Sequence, residues 1–260
     1  MSARLRLQNT IEDMRSWMLS SKLKLNESKT ELLIITSKSQ HHLIEDRTIQ
    51  VGDSQIKAVS SVRNLGVVFD ENMCMDAHVK KICRSVYYSI HNVNSIRKVL
   101  DHKSAAMLIH SFVLSRLDIG NALLFNITSR NLNKLQYAQN SAARVLTGTS
   151  KYQHISPVLK KLHWLPIRKR IEFKILLLTW KALNGMAPKY LQDLVMPYTP
   201  ARSLRSSHQH LLKTPKTRVA CGERAFSAAA PSLWNNLPLN LRIISSLETF
   251  KSKLKSHLFL

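Results

Sequence analysis

The spacing of the apolar residues changes near residue 75, and this change limits the architectures open to the chain. Before it, short apolar runs are separated by turn-forming residues, whereas after Asp70 apolar residues recur every three or four positions over most of the chain. The first pattern is typical of strands and the second of helices. Only 6 of the 260 residues are glycine, which argues against a turn-rich all-β protein. The sequence therefore predicts a mainly α fold with a small β part (α+β).

The first 75 residues combine one amphipathic helix with short strands. Helical spacing over 3–20 predicts a helix whose inward face carries Leu7, Ile11, Met14 and Met18. The remaining predicted elements, in chain order, are a β-rich run at 30–36, a polar loop at 37–47, a hairpin of strands 48–51 and 55–59 around Gly52, and a third strand at 62–69 in which Gly66 marks a bulge or a close backbone approach.

The rest of the chain predicts helices with recognisable start signals. Polar caps or prolines precede each apolar stripe, and these predicted starts are Asp76, Asp101, Ser129, Ser156-Pro157, Pro166, Pro188 and Ser246. The helix that begins at Asp101 is predicted to turn Ala105, Leu108, Ile109, Phe112 and Val113 inward. Residues 197–223 lack helical spacing and contain three prolines, so we interpret them as a linker or an extended arm.

The net charge of +23 is concentrated behind the same boundary. Residues 1–75 have a balance of +1, residues 76–200 of +14 and residues 201–260 of +8. A basic field of this size attracts polyanions, most often nucleic acid. The alternative is a ribosome-like or merely soluble basic surface. The N-terminus has no signal-peptide pattern, and no apolar run approaches a membrane span, which predicts an intracellular protein of the nucleus or cytoplasm that is not secreted and contacts no membrane.

The densest basic segment lies at a predicted junction between two helices. Its members are Lys160, Lys161, Trp164, Arg168, Lys169 and Arg170. Lysine and arginine neutralise phosphates, and a tryptophan can stack on a base, so these six residues are the candidate nucleic-acid-binding set. For Trp164 a packing role at the helix corner competes with stacking and is the favoured interpretation. For the cations we favour phosphate contact on an exposed outer face.

Cysteine and histidine residues near the boundary raise the question of a zinc site. Cys74, His78, Cys83 and His91 follow one another at intervals that match no standard zinc finger, and no CxxC pair is present. An odd number of cysteines without framework spacing favours reduced thiols in an intracellular protein. We therefore predict no bound metal in this chain.

Several longer motifs carry a family resemblance. They are Trp17 followed by Leu25-Asn26 and Lys29-Thr30, then Leu65-Gly66-Val67, LQYAQNSAARVLTG at 135–148, LHWLPIRKRIEFKILLLTWKALNGMAPKYL at 162–191 and RAFSAAAPSLWNNLPLNLR at 224–242. Together they resemble the reverse transcriptases of non-LTR (LINE-type) retrotransposons, near the jockey-like group. The resemblance implies palm-edge strands followed by a helical thumb-like bundle. It assigns 1–75 to a palm remnant, 76–196 to the thumb-like domain, 197–223 to the linker and 224–260 to a basic helical cap.

The same resemblance implies roles for individual residues and one departure from the family. Lys29 matches the lysine thought to protonate the leaving pyrophosphate, and Leu65 and Gly66 match the motif that grips the primer end. Nucleotidyl transfer in this family needs paired aspartates that hold two metal ions, and the chain has no paired aspartate. Without the metal ions Lys29 has nothing to protonate, so a surface lysine at a turn is the favoured interpretation for it in this chain. We expect a chain that begins after the catalytic hairpin and is inactive alone, with Mg²⁺ needed only by the intact polymerase.

The expected partners follow from that interpretation. They are an RNA or DNA template–primer and the palm and finger region of the polymerase. An interaction module of another class remains open: a domesticated helical protein that binds a protein partner and has no nucleic-acid role. Salt dependence separates the two, because phosphate binding weakens steeply as salt rises and apolar docking does not.

Overall fold

The computed structural model describes residues 3–44, 46–200 and 209–259 and confirms the predicted fold class. The chain is 60% helical, and 8% of it forms two antiparallel sheets of two strands each. It divides into two compact units, Met1–His78 and Val79–Leu260, which we call the N-terminal unit and the helical unit. Each is described separately below.

The N-terminal unit consists of one helix and two hairpins. Its elements are α1 (Ala3–Ser20), β1 (Thr48–Val51), β2 (Ser54–Lys57), β3 (Ser61–Asn64) and β4 (Val67–Asp70), with short 3₁₀ turns at Glu27–Lys29 and Lys38–Leu43. β1 pairs with β2, and β3 pairs with β4. The first hairpin is the predicted one.

The core of this unit is small. Ile49, Val51 and Ile56 are buried on one face of the β1–β2 hairpin, and Ile11 of α1 packs against them. Leu7 and Met14 were predicted to share that buried face, but they are 44% and 57% exposed. This prediction is wrong because a two-stranded sheet covers only a narrow strip of a helix, which leaves the rest of the apolar stripe in contact with water.

Two strand predictions in the N-terminal unit are also wrong. Residues 30–36 form no strand, and Leu32 makes only an isolated bridge to Ala58. The predicted single strand at 62–69 is instead the β3–β4 hairpin, with Leu65 (φ 46°) and Gly66 (φ 88°) at its turn. Two consecutive positive φ angles are the signature of a tight hairpin turn, so the glycine marks a reversal of the chain rather than a bulge.

The loop before the first long helix is ordered by one carboxylate. Asp70 accepts hydrogen bonds from the amides of Asn72 (3.2 Å), Cys74 (2.9 Å) and Met75 (2.6 Å). Burial of Asp70 raises its pKa, but these amide hydrogen bonds outweigh that effect and hold the pKa below its usual value. The loop therefore presents a fixed start to the helix that follows.

The remaining elements are helices. They are α2 (Asp76–Ile96), α3 (His102–Ile109), α4 (Ser115–Asp118), α5 (Ser129–Thr147), α6 (Ile155–Lys161), α7 (Ile167–Leu183), α8 (Lys189–Gln192), α9 (Ala220–Glu223), α10 (Phe226–Asn235), α11 (Leu239–Arg242) and α12 (Leu247–Phe259), with a π-helical turn at His110–Leu114. Asp101 caps α3 as predicted, because its carboxylate accepts a hydrogen bond from the amide of Ser104 at 3.0 Å. Among the described helices, none has the length and apolar content needed to cross a membrane.

The π-helical turn corrects one prediction about the core. Phe112 was predicted to point inward, but it is 48% exposed, while its neighbours Val113 and Leu114 are buried. A π-helical turn holds one more residue than an α-helical turn, so the residues that follow rotate relative to the face they would otherwise occupy. Apolar spacing alone does not reveal this shift.

An aromatic cluster joins α7, α10 and α12. The Trp180 ring stacks on Phe250 with centroids 5.7 Å apart, and Trp234 lies 6.0 Å from the same ring. Both indole N–H groups are satisfied, by the carbonyl oxygens of Ile244 and His210. Residues 224–259 therefore form a cap that packs on α7 through apolar side chains.

The segment between Pro197 and Glu223 is part packed and part exposed. Residues 201–208, which belong to the predicted linker, lie outside the described residues. Leu212 is buried, bridges Pro197, and exchanges two hydrogen bonds with the side chain of Asn235 (2.8 and 2.9 Å). Residues 213–219 are exposed.

Candidate nucleic-acid interface

The junction of α6 and α7 folds through local hydrogen bonds that end one helix and start the next. The His163 amide donates to the Lys160 carbonyl (3.0 Å), and the Trp164 amide donates to the Leu159 carbonyl (2.9 Å). His163 has a φ of 54°, so the pattern is a Schellman ending with histidine in the position that usually holds glycine. Lys160 and Lys161 complete the last turn of α6, where positive charge is favourable.

Two glutamines of α5 hold this junction from the side. The amide of Ile167, at the start of α7, donates to the Gln136 side-chain oxygen at 2.8 Å, and the Gln139 side-chain nitrogen donates to the Leu165 carbonyl at 2.8 Å. Gln139 is fully buried. These bonds satisfy backbone groups that a helix end leaves open, and they fix the direction in which α7 leaves the junction.

Trp164 belongs to the core of the helical unit. It is 3% exposed and meets His110 edge to face, with ring centroids 5.6 Å apart. A buried ring has no face available for a base, so the structure corrects the inclusion of Trp164 in the candidate nucleic-acid-binding set. Trp164 lies in the packed position that was its favoured interpretation from the sequence.

The five cations of the junction do not form one patch. Lys160, Lys161 and Arg168 are exposed, and within the described ranges none of them has an ion-pair partner. Lys169 is paired with Glu172 at 2.9 Å. Successive residues of a helix point about 100° apart, so neighbouring cations in the sequence diverge in space.

Arg170 departs furthest from the prediction of an exposed outer face. Its side chain is only 17% exposed, and two of its guanidinium nitrogens bind the two carboxylate oxygens of Asp118. A fork of this kind fixes the plane of the guanidinium group. Arg170 is therefore a positioned group at the wall of a cleft and not a freely moving surface cation.

The exposed side of α2 carries an ordered set of basic and aromatic side chains that the sequence interpretation missed. We call it the α2 basic face. Its members, all exposed, are Lys80, Lys81, Arg84, Tyr87, Tyr88 and His91. The opposite side of the same helix buries Val79, Val86 and Val93. The signal was present in the sequence, because Lys80, Arg84, Tyr87 and His91 lie at i, i+4, i+7 and i+11 on one helical face.

A second surface that the sequence did not reveal is a basic cleft of about 320 Å³. We define the basic cleft by its three cations: Arg170 and Lys174 of α7 and Lys255 of α12. Asp118 and His163 also line it. The i, i+4 spacing of Arg170 and Lys174 predicts that they share one face of α7. Lys255 comes from the far end of the chain, and no local sequence pattern predicts that it lies beside them.

The electrostatic effect of the basic cleft extends to His110. Burial is the main cause that lowers the pKa of His110, and the charges of Arg170 and Lys255 lower it further, while Asp118 acts in the opposite direction. The neutral imidazole is therefore favoured beside Trp164. The cleft is a place where positive charge is costly and where an anion is correspondingly favourable.

The family-motif residues of the N-terminal unit lie at turns. Lys29 is exposed at the end of a 3₁₀ turn, and its amide donates to the side-chain oxygen of Asn26 at 3.2 Å. Leu65 is 94% exposed at the tip of the β3–β4 hairpin, next to Gly66. No catalytic role is predicted for Lys29 in this chain, and the primer-grip role that the resemblance gives to Leu65 and Gly66 stays a prediction.

Within 3–44, 46–200 and 209–259, no group of three or more His, Cys, Asp and Glu side chains could hold a metal ion. The three cysteines are free. Burial raises the pKa of the Cys74 and Cys83 thiols, which favours their protonated forms.

Comparisons with known proteins leave the family open. No protein-family model matches the chain, and no curated protein or solved structure matches it significantly. The resemblance to non-LTR reverse transcriptases therefore rests on the motifs quoted above and stays a prediction.

Proposed function

We propose that the helical unit binds the phosphate backbone of nucleic acid, as the thumb-like part of a non-LTR reverse transcriptase would bind its template–primer. The observation that carries the proposal is the α2 basic face. Three cations on it, Lys80, Lys81 and Arg84, are exposed, and none is ion-paired with a residue that the structure describes. Unpaired surface cations release counterions from phosphates when they bind them, and this release supplies most non-specific affinity.

The aromatic residues on the same face add a second type of contact. Tyr87 is 43% exposed and Tyr88 is 67% exposed, one helical turn beyond Arg84. Exposed aromatic rings stack on unpaired bases in a way that tolerates any sequence. Cations and tyrosines on one helix face together favour a strand whose backbone and bases are both accessible, such as the end of a primer.

The acidic residues of the helical unit do not neutralise this face. Asp118, Glu172, Asp193 and Glu248 are paired with cations elsewhere, namely Arg170, Lys169, Lys189 and Lys251. Asp101 caps α3, and Glu223 accepts a hydrogen bond from Asn126. Every acidic side chain of residues 79–260 therefore has a partner away from α2. The one carboxylate of α2 itself is Asp76, four residues before Lys80, and it leaves the face with a net positive charge from Lys80, Lys81 and Arg84.

The proposal is tested by comparing two triple variants that lose the same charge. The first is Lys80→Gln, Lys81→Gln and Arg84→Gln, and the control is Lys169→Gln, Lys189→Gln and Lys251→Gln, whose cations are already paired. Binding of a labelled RNA–DNA hybrid is measured by fluorescence anisotropy over a range of salt concentrations. We expect the first variant to flatten the plot of log affinity against log salt by about two to three units, roughly one for each lost phosphate contact.

The control should keep a salt slope close to that of the wild type, because a paired cation gives up an ion pair before it can bind a phosphate. Equal slopes for the wild type and the α2 variant would refute the proposal. Equal losses in the two variants would show a response to net charge with no defined surface. A Tyr87→Leu, Tyr88→Leu variant should weaken binding to a single strand without changing the slope, since stacking releases few counterions.

A protein-interaction role remains the second candidate, and one observation favours it. In the N-terminal unit, α1 exposes five large apolar side chains, and three of them share one side of the helix: Leu7 (44%), Met14 (57%) and Trp17 (67%). Exposed apolar side chains that share one side of a helix are typical of a docking surface. If this role is the main one, the hybrid should bind both triple variants equally.

A further inference from the structure

The basic cleft combines positive charge with an apolar wall, and its use is not explained by backbone binding on α2. Arg170, Lys174 and Lys255 face a space of about 320 Å³, opposed by the single carboxylate of Asp118. Lys174 and Lys255 are exposed, and neither is ion-paired to a described side chain. Two ammonium groups at one cleft without a counter-charge favour a bound anion that carries more than one negative charge.

The third cation of the cleft is already oriented for such a ligand. Asp118 holds Arg170 through Nε (3.0 Å to Oδ1) and Nη2, which leaves Nη1 and the second Nη2 proton outside the fork. A guanidinium group whose plane is fixed loses little conformational freedom when it binds a phosphate. Asp118 therefore acts as a positioning residue for Arg170 while neutralising only one of the three cations.

A buried acceptor at the cleft indicates that the ligand also carries a hydrogen-bond donor. Asn121 is 5% exposed and lines the cleft. Its side-chain nitrogen donates to Asp118 Oδ1 at 3.2 Å, and since a carboxylate can only accept, this contact fixes the amide orientation. The amide oxygen is buried and has no hydrogen-bond partner in the described part of the chain. A buried acceptor left unpaired is costly, and a ligand donor would remove that cost.

The remaining wall of the cleft is apolar. Leu165, Phe173 and Leu177 line it beside the cations. Phe173 and Leu177 lie at i+3 and i+7 from Arg170, so they share its side of α7. A ligand that fits has a multiply charged anionic group, a flat apolar part and hydrogen-bond donors. A cleft of this size is near the lower limit for small-molecule sites, which admits one nucleotide and excludes a duplex.

We propose that the basic cleft binds a single nucleotide through its phosphomonoester, with the phosphate on Arg170, Lys174 and Lys255 and the base or sugar against Phe173. The nucleotide is either free or the 5′-phosphorylated end of a nucleic-acid strand, and both present the same chemistry. If the strand end is the source, the inference deepens the proposed nucleic-acid function. The cleft and the α2 basic face share no residue, so the two proposals are tested independently.

The test is isothermal titration of the full chain with adenosine 5′-monophosphate, adenosine and inorganic phosphate. We expect the monophosphate to bind, adenosine to bind at least about tenfold more weakly because it lacks the charge, and inorganic phosphate to bind more weakly than the monophosphate because it lacks the apolar part. Equal binding of adenosine and its monophosphate would overturn the phosphate assignment. Inorganic phosphate as tight as the monophosphate would overturn the nucleotide assignment.

Variants connect the binding to this cleft. Lys174→Gln with Lys255→Gln should weaken monophosphate binding by about tenfold or more, since two charge-assisted contacts are lost, and circular dichroism should show an unchanged fold because both side chains are exposed. Lys253→Gln, an exposed lysine on the same helix that does not line the cleft, is the matched control. A double variant that keeps wild-type affinity would overturn the inference. A phosphate-free peptide of glutamates that binds more tightly than the monophosphate would also overturn it, in favour of an acidic protein partner.

Two further binding measurements identify the source of the nucleotide and separate the two proposals. A single strand with a 5′-phosphate that binds more tightly than the same strand with a 5′-hydroxyl identifies the strand end as the ligand. Equal binding of the two strands, together with binding of the monophosphate, identifies a free nucleotide. The variant Lys80→Gln, Lys81→Gln and Arg84→Gln should keep wild-type monophosphate binding. A failed salt-slope test on α2 therefore leaves the cleft inference standing, and a failed titration leaves the α2 proposal standing.

Discussion

The two units of this protein differ in both charge and burial. The N-terminal unit has ten basic and ten acidic residues, so the whole net charge of +23 belongs to the helical unit. The helical unit buries Trp180, Trp234 and Phe250 almost completely, whereas Trp17 of the N-terminal unit is 67% exposed. A chain that keeps its charge on the unit with the larger core can tolerate the electrostatic repulsion that this charge creates.

The two units also differ in the size of their apolar cores. The N-terminal unit has a cluster of three buried apolar residues on one hairpin, with Val67 and Met75 buried besides, and a helix that is only partly covered. Small units bury too little apolar surface to be stable alone and commonly depend on a partner. The helical unit has its own aromatic core, and its exposed cations Lys80, Lys81 and Arg84 have no ion-pair partner among the described residues. The predictions that follow test this contrast, from the largest expected effect to the smallest.

The largest effect is expected from removing a tryptophan of the helical core. Trp180→Ala removes a fully buried ring that stacks on Phe250, and it should lower the free energy of unfolding by about 3–5 kcal/mol. Trp17→Ala, the same change in the N-terminal unit, should alter it by no more than about 0.5 kcal/mol. Urea denaturation followed by far-UV circular dichroism measures both. Similar losses in the two variants would show that the N-terminal unit is as well packed as the helical one.

A smaller effect is expected at two glycines, one in each unit. Gly52 has a φ of 58°, and an added Cβ would lie 2.4 Å from Glu27 Oε1. Moving Glu27 would break its 2.6 Å hydrogen bond with Ser54, so Gly52→Ala should cost about 2 kcal/mol of unfolding free energy, of which the backbone conformation accounts for about half.

Gly148 of the helical unit is the matched control. It has a φ of 69°, but an added Cβ would meet no atom within 4 Å. Gly148→Ala should therefore cost only about 1 kcal/mol, from the backbone conformation alone. Equal costs in the same denaturation experiment would indicate that Glu27 moves aside without losing its contact with Ser54.

The smallest effect is a pH dependence that belongs to the helical unit. Burial and the charges of Arg170 and Lys255 lower the pKa of His110 below its ordinary value of 6.5, against the opposing effect of Asp118. The unfolded chain therefore takes up this proton at a higher pH than the folded chain. Stability should fall as the pH drops below 6.5, and above it the group should contribute nothing.

His110→Phe isolates this contribution from those of the other ten histidines. The phenyl ring keeps an edge-to-face contact with Trp164 and cannot be protonated. Urea midpoints at several values between pH 5 and pH 8 should show a shallower loss for the variant than for the wild type. His102→Gln, at the exposed start of α3, controls for the removal of one histidine. An unchanged profile in His110→Phe would mean that the imidazole is protonated at no cost in the folded state.

The sequence by itself determined the features that depend on neighbouring residues. Helical spacing, the Asp101 cap and Pro166 before α7 are local signals, and each marks a helix that the structure contains. The charge boundary near residue 75 is a property of composition and needs no structure. The pattern Lys80, Arg84, Tyr87 and His91 is equally local, because the four positions share one face of a single helix.

The tertiary structure decided which side chains meet. It buried Trp164 and left only 17% of the Arg170 side chain exposed, and it brought Lys255 of α12 to the same cleft as Arg170 and Lys174 of α7. It also turned a predicted strand into a hairpin at Leu65 and Gly66 and rotated Phe112 out of the core. The physical reason is the same in each case. Local spacing fixes the direction of a side chain relative to its own helix or strand, whereas burial and partners depend on which elements pack against it, and that packing is a property of the whole chain.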